Sequence, residues 1–281
     1  MTRIRPLSIL CAAAILCWTG GARAAAQSAA AAAPASAPAS VSRAPVERAT
    51  PPIPPAAAIP PPALTESLQI KYVRDSEEYA TLVRQVYRAA GAAVARSTAS
   101  LSRGTWAVVL DVDETALDNS AYQLERAAYR LPFDSASWGA WVLRAAAQAI
   151  PGAPEFVGRV RGLGGRVVWI TNRSDAERDA TRANLKSVGL WNDDDLLCTK
   201  SSSSDKAPRR AELASGTGRC AWPGRPMPAV AYLGDQLGDF PAAGEPLPDA
   251  GSDEAFGRQF FLLPNPMYGP WTGPVTRRAR P

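Results

Sequence analysis

The chain has 281 residues, 46% of them hydrophobic and 20% charged, the make-up of a globular protein of one or two domains. It contains no histidine, which excludes a Ser-His-Asp triad, a Cys-His pair, a phosphohistidine intermediate and imidazole-ligated zinc. The formal net charge is +5, but residues 1–63 hold five Arg against Glu47 alone, so the remainder is close to neutral and gives no reason to expect a nucleic-acid polymer as partner.

The first residues have the pattern of an export signal. Arg3 and Arg5 precede a short apolar run from Leu7 to Trp18, and Ala22-Arg23-Ala24 offers small residues for cleavage. The run is too brief for an integral membrane span. Cys11 and Cys17 both follow Leu rather than a small residue, so residues 1–24 read as a signal peptide and the protein as periplasmic or secreted, with an outer-membrane lipoprotein as the alternative. Residues 25–63 are mostly Ala, Pro and Ser, with three proline pairs, and carry too few large apolar side chains to build a core. They read as a disordered linker, and residues 64–281 as the folded domain.

Within that domain the elements are predicted in order. A helix spans 76–96, with Tyr79, Leu82, Val83, Val86 and Tyr87 at helical spacing behind a Ser76 cap. A buried strand covers 106–110 and a helix 138–149. A second strand covers 166–170. A helix follows from Ser174 to Val188, with Ser174 and Glu177 in capping-box spacing and Gly189 as its stop. Further short strands fall at 196–199, 230–233 and 260–263. Unbroken apolar strands alternating with helices indicate an α/β fold with a Rossmann-like parallel sheet covered on both faces. Cys198 and Cys220 could pair as a disulfide or remain two buried thiols.

The strongest chemical signal is Asp111-Val112-Asp113-Glu114-Thr115, directly after the first strand. Ligands of open parallel sheets bind beyond the carboxyl ends of the strands. Two carboxylates in one tight loop repel unless a cation or proton compensates, and magnesium is the natural hard cation for oxygen ligands. An EF-hand loop would need Gly where Ala116 stands, and no Gly-rich P-loop precedes the motif. Three further segments end at the same sheet edge. Thr171-Asn172 can offer a hydroxyl and a backbone N–H to a phosphate oxygen, or Thr171 can simply cap the following helix. Lys206 can neutralise a phosphoryl group, although its Ser-rich surroundings taken alone suggest a solvated loop. Gly234-Asp235 to Asp239-Phe240 adds two carboxylates.

In this order the four segments resemble the motifs of haloacid-dehalogenase-like (HAD) phosphatases. In finer detail they resemble the class C nonspecific acid phosphatases, a group that includes lipoprotein 5'-nucleotidases. The likeness is carried by Asp111–Thr115, Asp118-Asn119-Ser120, Gly234-Asp235…Asp239-Phe240 and Pro264-Asn265-Pro266-Met267-Tyr268-Gly269-Pro270-Trp271. Gln236 departs from the Asn common in the group, and the proline-rich spacer is foreign to it. The resemblance implies a nucleophile at Asp111 and a general acid and base at Asp113. It implies Mg2+ held by Asp111, the backbone carbonyl of Asp113, and Asp235, with Asp239 supporting. Thr171, Asn172 and Lys206 would bind phosphate. Tyr268 would meet the leaving group, a nucleobase in the leading case. The substrate would be a small phosphomonoester; a phosphotransferase, a sugar-phosphate phosphatase and a non-catalytic phosphate binder are the alternatives. Residues 117–155 would form a small helical cap, with Trp138 and Trp141 in its core. The early helix would pack against this cap. A homodimer is an open option.

Overall fold

The computed structural model describes residues 67–274, so the leader, the linker and the Arg277–Arg280 tail lie outside the described residues. Two helices open the fold, α1 (Leu68–Asp75) and α2 (Glu77–Ser97). Ser76 separates them, and its hydroxyl accepts the Tyr79 N–H at 3.0 Å, as the capping pattern predicts. β1 (Ala107–Leu110) follows, every residue buried. β2 (Leu117–Asp118), α3 (Ser120–Ala128), α4 (Ser135–Leu143) and β3 (Gln148–Ala149) come next. The chain then runs through α5 (Ala153–Gly162), β4 (Arg166–Ser174), α6 (Arg178–Ser187), β5 (Leu196–Lys200), α7 (Ala207–Ser215), β6 (Ala229–Gly234) and β7 (Phe260–Leu262).

The main sheet has the order β5-β4-β1-β6-β7, and every pairing in it is parallel. Its strands alternate between two apolar layers. Val108 and Leu110 of β1 join Val83 of α2, Val157 of α5 and Leu185 of α6 on one face. Ala107 and Val109 join Leu213 of α7, Tyr232 and Phe260 on the other. Each fully buried Val or Leu here contributes about 1.5–3 kcal/mol relative to leaving it exposed. That double burial is why these strands read as unbroken apolar runs. Cys198 and Cys220 are both buried, free thiols in the second layer. No helix of the described residues is long and apolar enough to cross a membrane.

Several local expectations are corrected. The helix predicted over 138–149 stops at Leu143, and Ala145 adopts a left-handed backbone at φ 48°. Tertiary bonds redirect the chain there. The Asn184 side chain donates to the Ala147 carbonyl at 2.7 Å and accepts its N–H at 3.2 Å, and β3 pairs antiparallel with β2. Ser174 is the last residue of β4 rather than the start of a helix. The capping box with Glu177 exists, but it closes a 3-10 turn before α6 begins. The early helix packs mainly on α5, β6 and β7 and meets the insert at Gly152, which lies against Arg84 and Tyr87, while α1 contacts α3. Helices α1, α3, α5 and α7 carry no expectation from the pattern of apolar residues.

Candidate active site

Asp111 follows β1 directly, and its N–H donates to the Leu233 carbonyl at 3.0 Å, which locks it beside the end of β6. β6 in turn delivers Asp235, and the 3-10 turn Leu237–Asp239 returns Asp239 to the same spot. Gly234 makes this return possible: a Cβ there would lie 2.3 Å from the Asp239 side chain. One oxygen each of Asp111, Asp235 and Asp239 falls within 4.8 Å of the others. Lys206, the residue before α7, reaches into the group. Its ammonium donates to Asp111 Oδ1 and Asp239 Oδ1, each at 2.5 Å.

Electrostatics at this point favour a cation. Burial raises the pKa of Asp111 well above the carboxylate range, Lys206 opposes the rise, and Asp239, Asp235 and Asp113 add to it. Burial and then Asp239 push Asp235 up to about 7, against the hydrogen bond from Asn265. For Lys206, burial opposes the charge, but Asp111 and Asp239 outweigh it and raise its pKa. Three converging carboxylates against one ammonium leave negative charge uncompensated, and the donor set is all oxygen. The residues therefore fit a hard divalent cation such as Mg2+.

Asp113 stands apart from that cluster. Arg173, fully buried, donates to its Oδ1 from Nη2 at 2.7 Å and from Nε at 3.0 Å, and to Oδ2 at 3.3 Å. Asn119 Nδ2 donates to the same Oδ1 at 2.9 Å, and Asn119 Oδ1 accepts the Trp141 indole N–H at 2.8 Å. The side chain of Asp113 is thus no member of the carboxylate cluster, which leaves only its backbone carbonyl as a candidate ligand.

The end of β4 supplies Thr171 and Asn172. Thr171 is fully buried, and its hydroxyl accepts the Arg173 N–H at 3.1 Å within β4; it does not cap the following helix, since Ser174 and Glu177 stand at those N-termini. Asn172 is exposed and lines the cavity. Asn265, from the Pro264–Trp271 segment, donates to Asp235 Oδ2 at 2.8 Å and accepts the Met267 N–H at 3.0 Å. It thereby ties the acidic cluster to the turn that carries Tyr268.

Above these groups lies a cavity of about 400 Å³. Its floor includes Asp111, Asp113, Lys206 and Asp239, and its walls include Gln123, Phe133, Trp138, Asn172, Arg173, Gln236 and Tyr268. The predicted residues Asp111, Asp113, Asn172, Lys206, Asp239 and Tyr268 all reach it. Thr171 and Asp235 are not among the residues that line it. Trp141 is a core residue as expected, but Trp138 is half-buried against the cavity, with the Arg173 guanidinium 5.8 Å from its ring centre. The residues that sequence reasoning missed are the braces Arg173, Asn119, Asn265 and Arg209. Asn119 and Asn265 sit inside motifs already noted. Nothing local distinguishes Arg173 or Arg209 from ordinary surface arginines.

The comparisons with known proteins agree with this geometry. The family model of the HAD superfamily, subfamily IIIB (acid phosphatase) matches residues 27–271. The structure is similar to the class C acid phosphatase of Bacillus anthracis, with a TM-score of 0.60 and 28% identity over 72% of this chain and 84% of that one. The tungstate-bound form of the Bacillus protein gives the same TM-score, 0.60, at 27% identity. Acid phosphatase 1 of Solanum lycopersicum is 29% identical over 166 residues, which span 59% of each protein. The chain therefore belongs to the subfamily IIIB acid phosphatases of the HAD superfamily, a family of phosphoric monoester hydrolases.

Proposed function

We propose that the chain is an exported, Mg2+-dependent acid phosphatase that hydrolyses small phosphomonoesters, nucleoside monophosphates foremost. The observation that carries this reading is the convergence of Asp111, Asp235, Asp239 and Lys206 at one end of the parallel sheet, beneath a cavity with aromatic walls.

Asp111 is the nucleophile. Its carboxylate oxygen forms a bond to phosphorus as the ester oxygen departs, leaving an aspartyl-phosphate. Asp113 gives the departing oxygen a proton, then takes one from the water that attacks the aspartyl-phosphate and releases phosphate. Its Oδ1 is occupied by Arg173 and Asn119, so Oδ2, with a single contact at 3.3 Å, is the oxygen left to carry that proton. Lys206 stabilises the charge on the transferring oxygens, together with donors at Thr171 and Asn172. Mg2+, held by Asp111, Asp235 and the Asp113 carbonyl with Asp239 in support, supplies positive charge that keeps these carboxylates ionised. The segment 117–155 acts as a cap. Phe133 and Trp138 from the cap line the same cavity as Tyr268, and the three rings offer stacking surfaces to a base. Export is supported by the leader pattern at residues 1–24.

The test is turnover of p-nitrophenyl phosphate with Mg2+ and with EDTA from acid to neutral pH, followed by a panel of nucleotides and sugar phosphates. We expect Mg2+-dependent activity that is highest under acid conditions, a preference for nucleotides, and loss of about 10⁴-fold or more in Asp111→Asn. Undiminished turnover in that variant would refute the nucleophile assignment. Equal rates on sugar phosphates would refute the nucleotide preference.

A further inference from the structure

We propose that Arg209 is the positioning residue that holds the phosphate-binding end of β4 in register with Lys206. The inference rests on the phosphatase reading above and adds a residue to it.

Arg209 lies in the first turn of α7, three residues after Lys206 and next to Pro208. It is buried, with 8% of its surface accessible. Nη1 donates to the Thr171 carbonyl at 2.6 Å, and Nη2 donates to Asn172 Oδ1 at 2.7 Å. Nη2 also reaches the Asp205 carbonyl at 3.1 Å and the Ser204 carbonyl at 3.4 Å. One planar fork therefore joins two loops that are far apart in sequence: the end of β4, and the loop that carries Lys206. A Lys ammonium is a compact point donor and cannot span both.

The bond to Thr171 has a directional consequence. In a trans peptide the C=O and the following N–H point to opposite sides. Arg209 fixes the Thr171 carbonyl, and so it aims the Asn172 N–H away from itself. This is the backbone donor assigned above to a phosphate oxygen. Asn172 itself lines the cavity.

The charge of Arg209 is also unusual for its depth. Its neighbour Arg210, equally buried, is neutralised by Glu245 at 2.6 Å. Among the described residues no carboxylate lies within ion-pair distance of Arg209, whose partners are carbonyl and amide oxygens. A buried cation whose direct partners are dipoles, with the Asp111 charge acting on it only from beyond ion-pair distance, keeps part of its field for a nearby anion. A phosphate group bound at Thr171, Asn172 and Lys206 is the anion that would complete it.

The experiment compares the full chain with Arg209→Lys and Arg209→Gln. It measures kcat and KM on p-nitrophenyl phosphate, the inhibition constant of inorganic phosphate, and the Mg2+ activation midpoint. Losing hydrogen bonds from a charged donor should raise both KM and the phosphate inhibition constant by about tenfold in Arg209→Gln, with a smaller rise in Arg209→Lys. The Mg2+ midpoint should stay unchanged, because Asp111, Asp235 and Asp239 are held by other partners. A residue that served stability alone would lower kcat through the folded fraction and leave KM and phosphate inhibition as they are; that result overturns the proposal. So does failure of both variants to fold. An inactive wild-type chain would instead defeat the phosphatase reading itself, which separates the two outcomes.

Discussion

At the floor of the cavity Asp111, Lys206 and Asp239 are each less than a tenth exposed, and every one is held by a charge-assisted bond. At its mouth Phe133 keeps 66% of its surface exposed and Trp138 and Tyr268 are half-buried, and the Phe133 and Trp138 ring centres lie 6.3 Å apart. In the floor each side chain is the partner of another, so replacing one leaves a buried charge without compensation. In the wall a ring can be exchanged at the cost of its own contacts only. On the proposed function, reaction chemistry would belong to the first region and leaving-group preference to the second.

Breaking the floor should have the largest effect. Asp113→Asn keeps the bonds to Arg173 and Asn119 nearly isosteric but cannot deliver a proton. Turnover of alkyl phosphates should fall about 10²–10⁴-fold. Aryl phosphates, whose leaving groups need less protonation, should lose much less in the same steady-state assay. Equal losses on both substrates would remove Asp113 from the acid role.

Changing the wall should act on binding instead. Tyr268→Ala should raise KM for a nucleoside monophosphate roughly tenfold, since stacking of a base on an aromatic ring contributes about 1–3 kcal/mol. It should leave KM for glycerol phosphate and kcat for both nearly unchanged. A parallel rise for glycerol phosphate would mean that the ring shapes the floor and does not read the leaving group.

The smallest effect concerns the acidic cluster without its cation. Burial and then the neighbouring Asp239 push Asp235 from 3.8 up to about 7. The folded chain therefore holds a proton there that the unfolded chain has released. The stability this confers is complete below about pH 4 and is lost as pH rises through 7. On the proposed function, a divalent cation would take the place of the proton. The increase in Tm on adding Mg2+ to EDTA-treated protein should amount to a few degrees at pH 8 and shrink toward pH 5. An increment that grew on acidification would place the cation elsewhere.

Much of the floor was legible in the chain, because each motif follows an apolar strand and the carboxyl ends of parallel strands share one edge. Asp111, Asp235, Asp239 and Lys206 came together for that reason. The braces were not legible. Arg173 meets Asp113 across 60 positions, and Arg209 meets Thr171 across 38. No local pattern encodes such pairings. The sequence favours core packing over ligand contact for Trp138 and Trp141 alike. Only the fold shows that α4 turns Trp141 inward to Asn119 and leaves Trp138 at the cavity.

Local order along the chain was enough for the layer type, the five buried strands and the acidic groups at their ends, since alternation of apolar runs with capped helices is written residue by residue. The packing of layers decided the remainder. It converted the end of a foreseen helix into β3 through Asn184, freed Asp113 from the carboxylate cluster through Arg173, and buried Arg209 against two loops. Each of these outcomes depends on a buried polar side chain finding partners distant in sequence, where an unpaired buried group would cost more than any local preference can return.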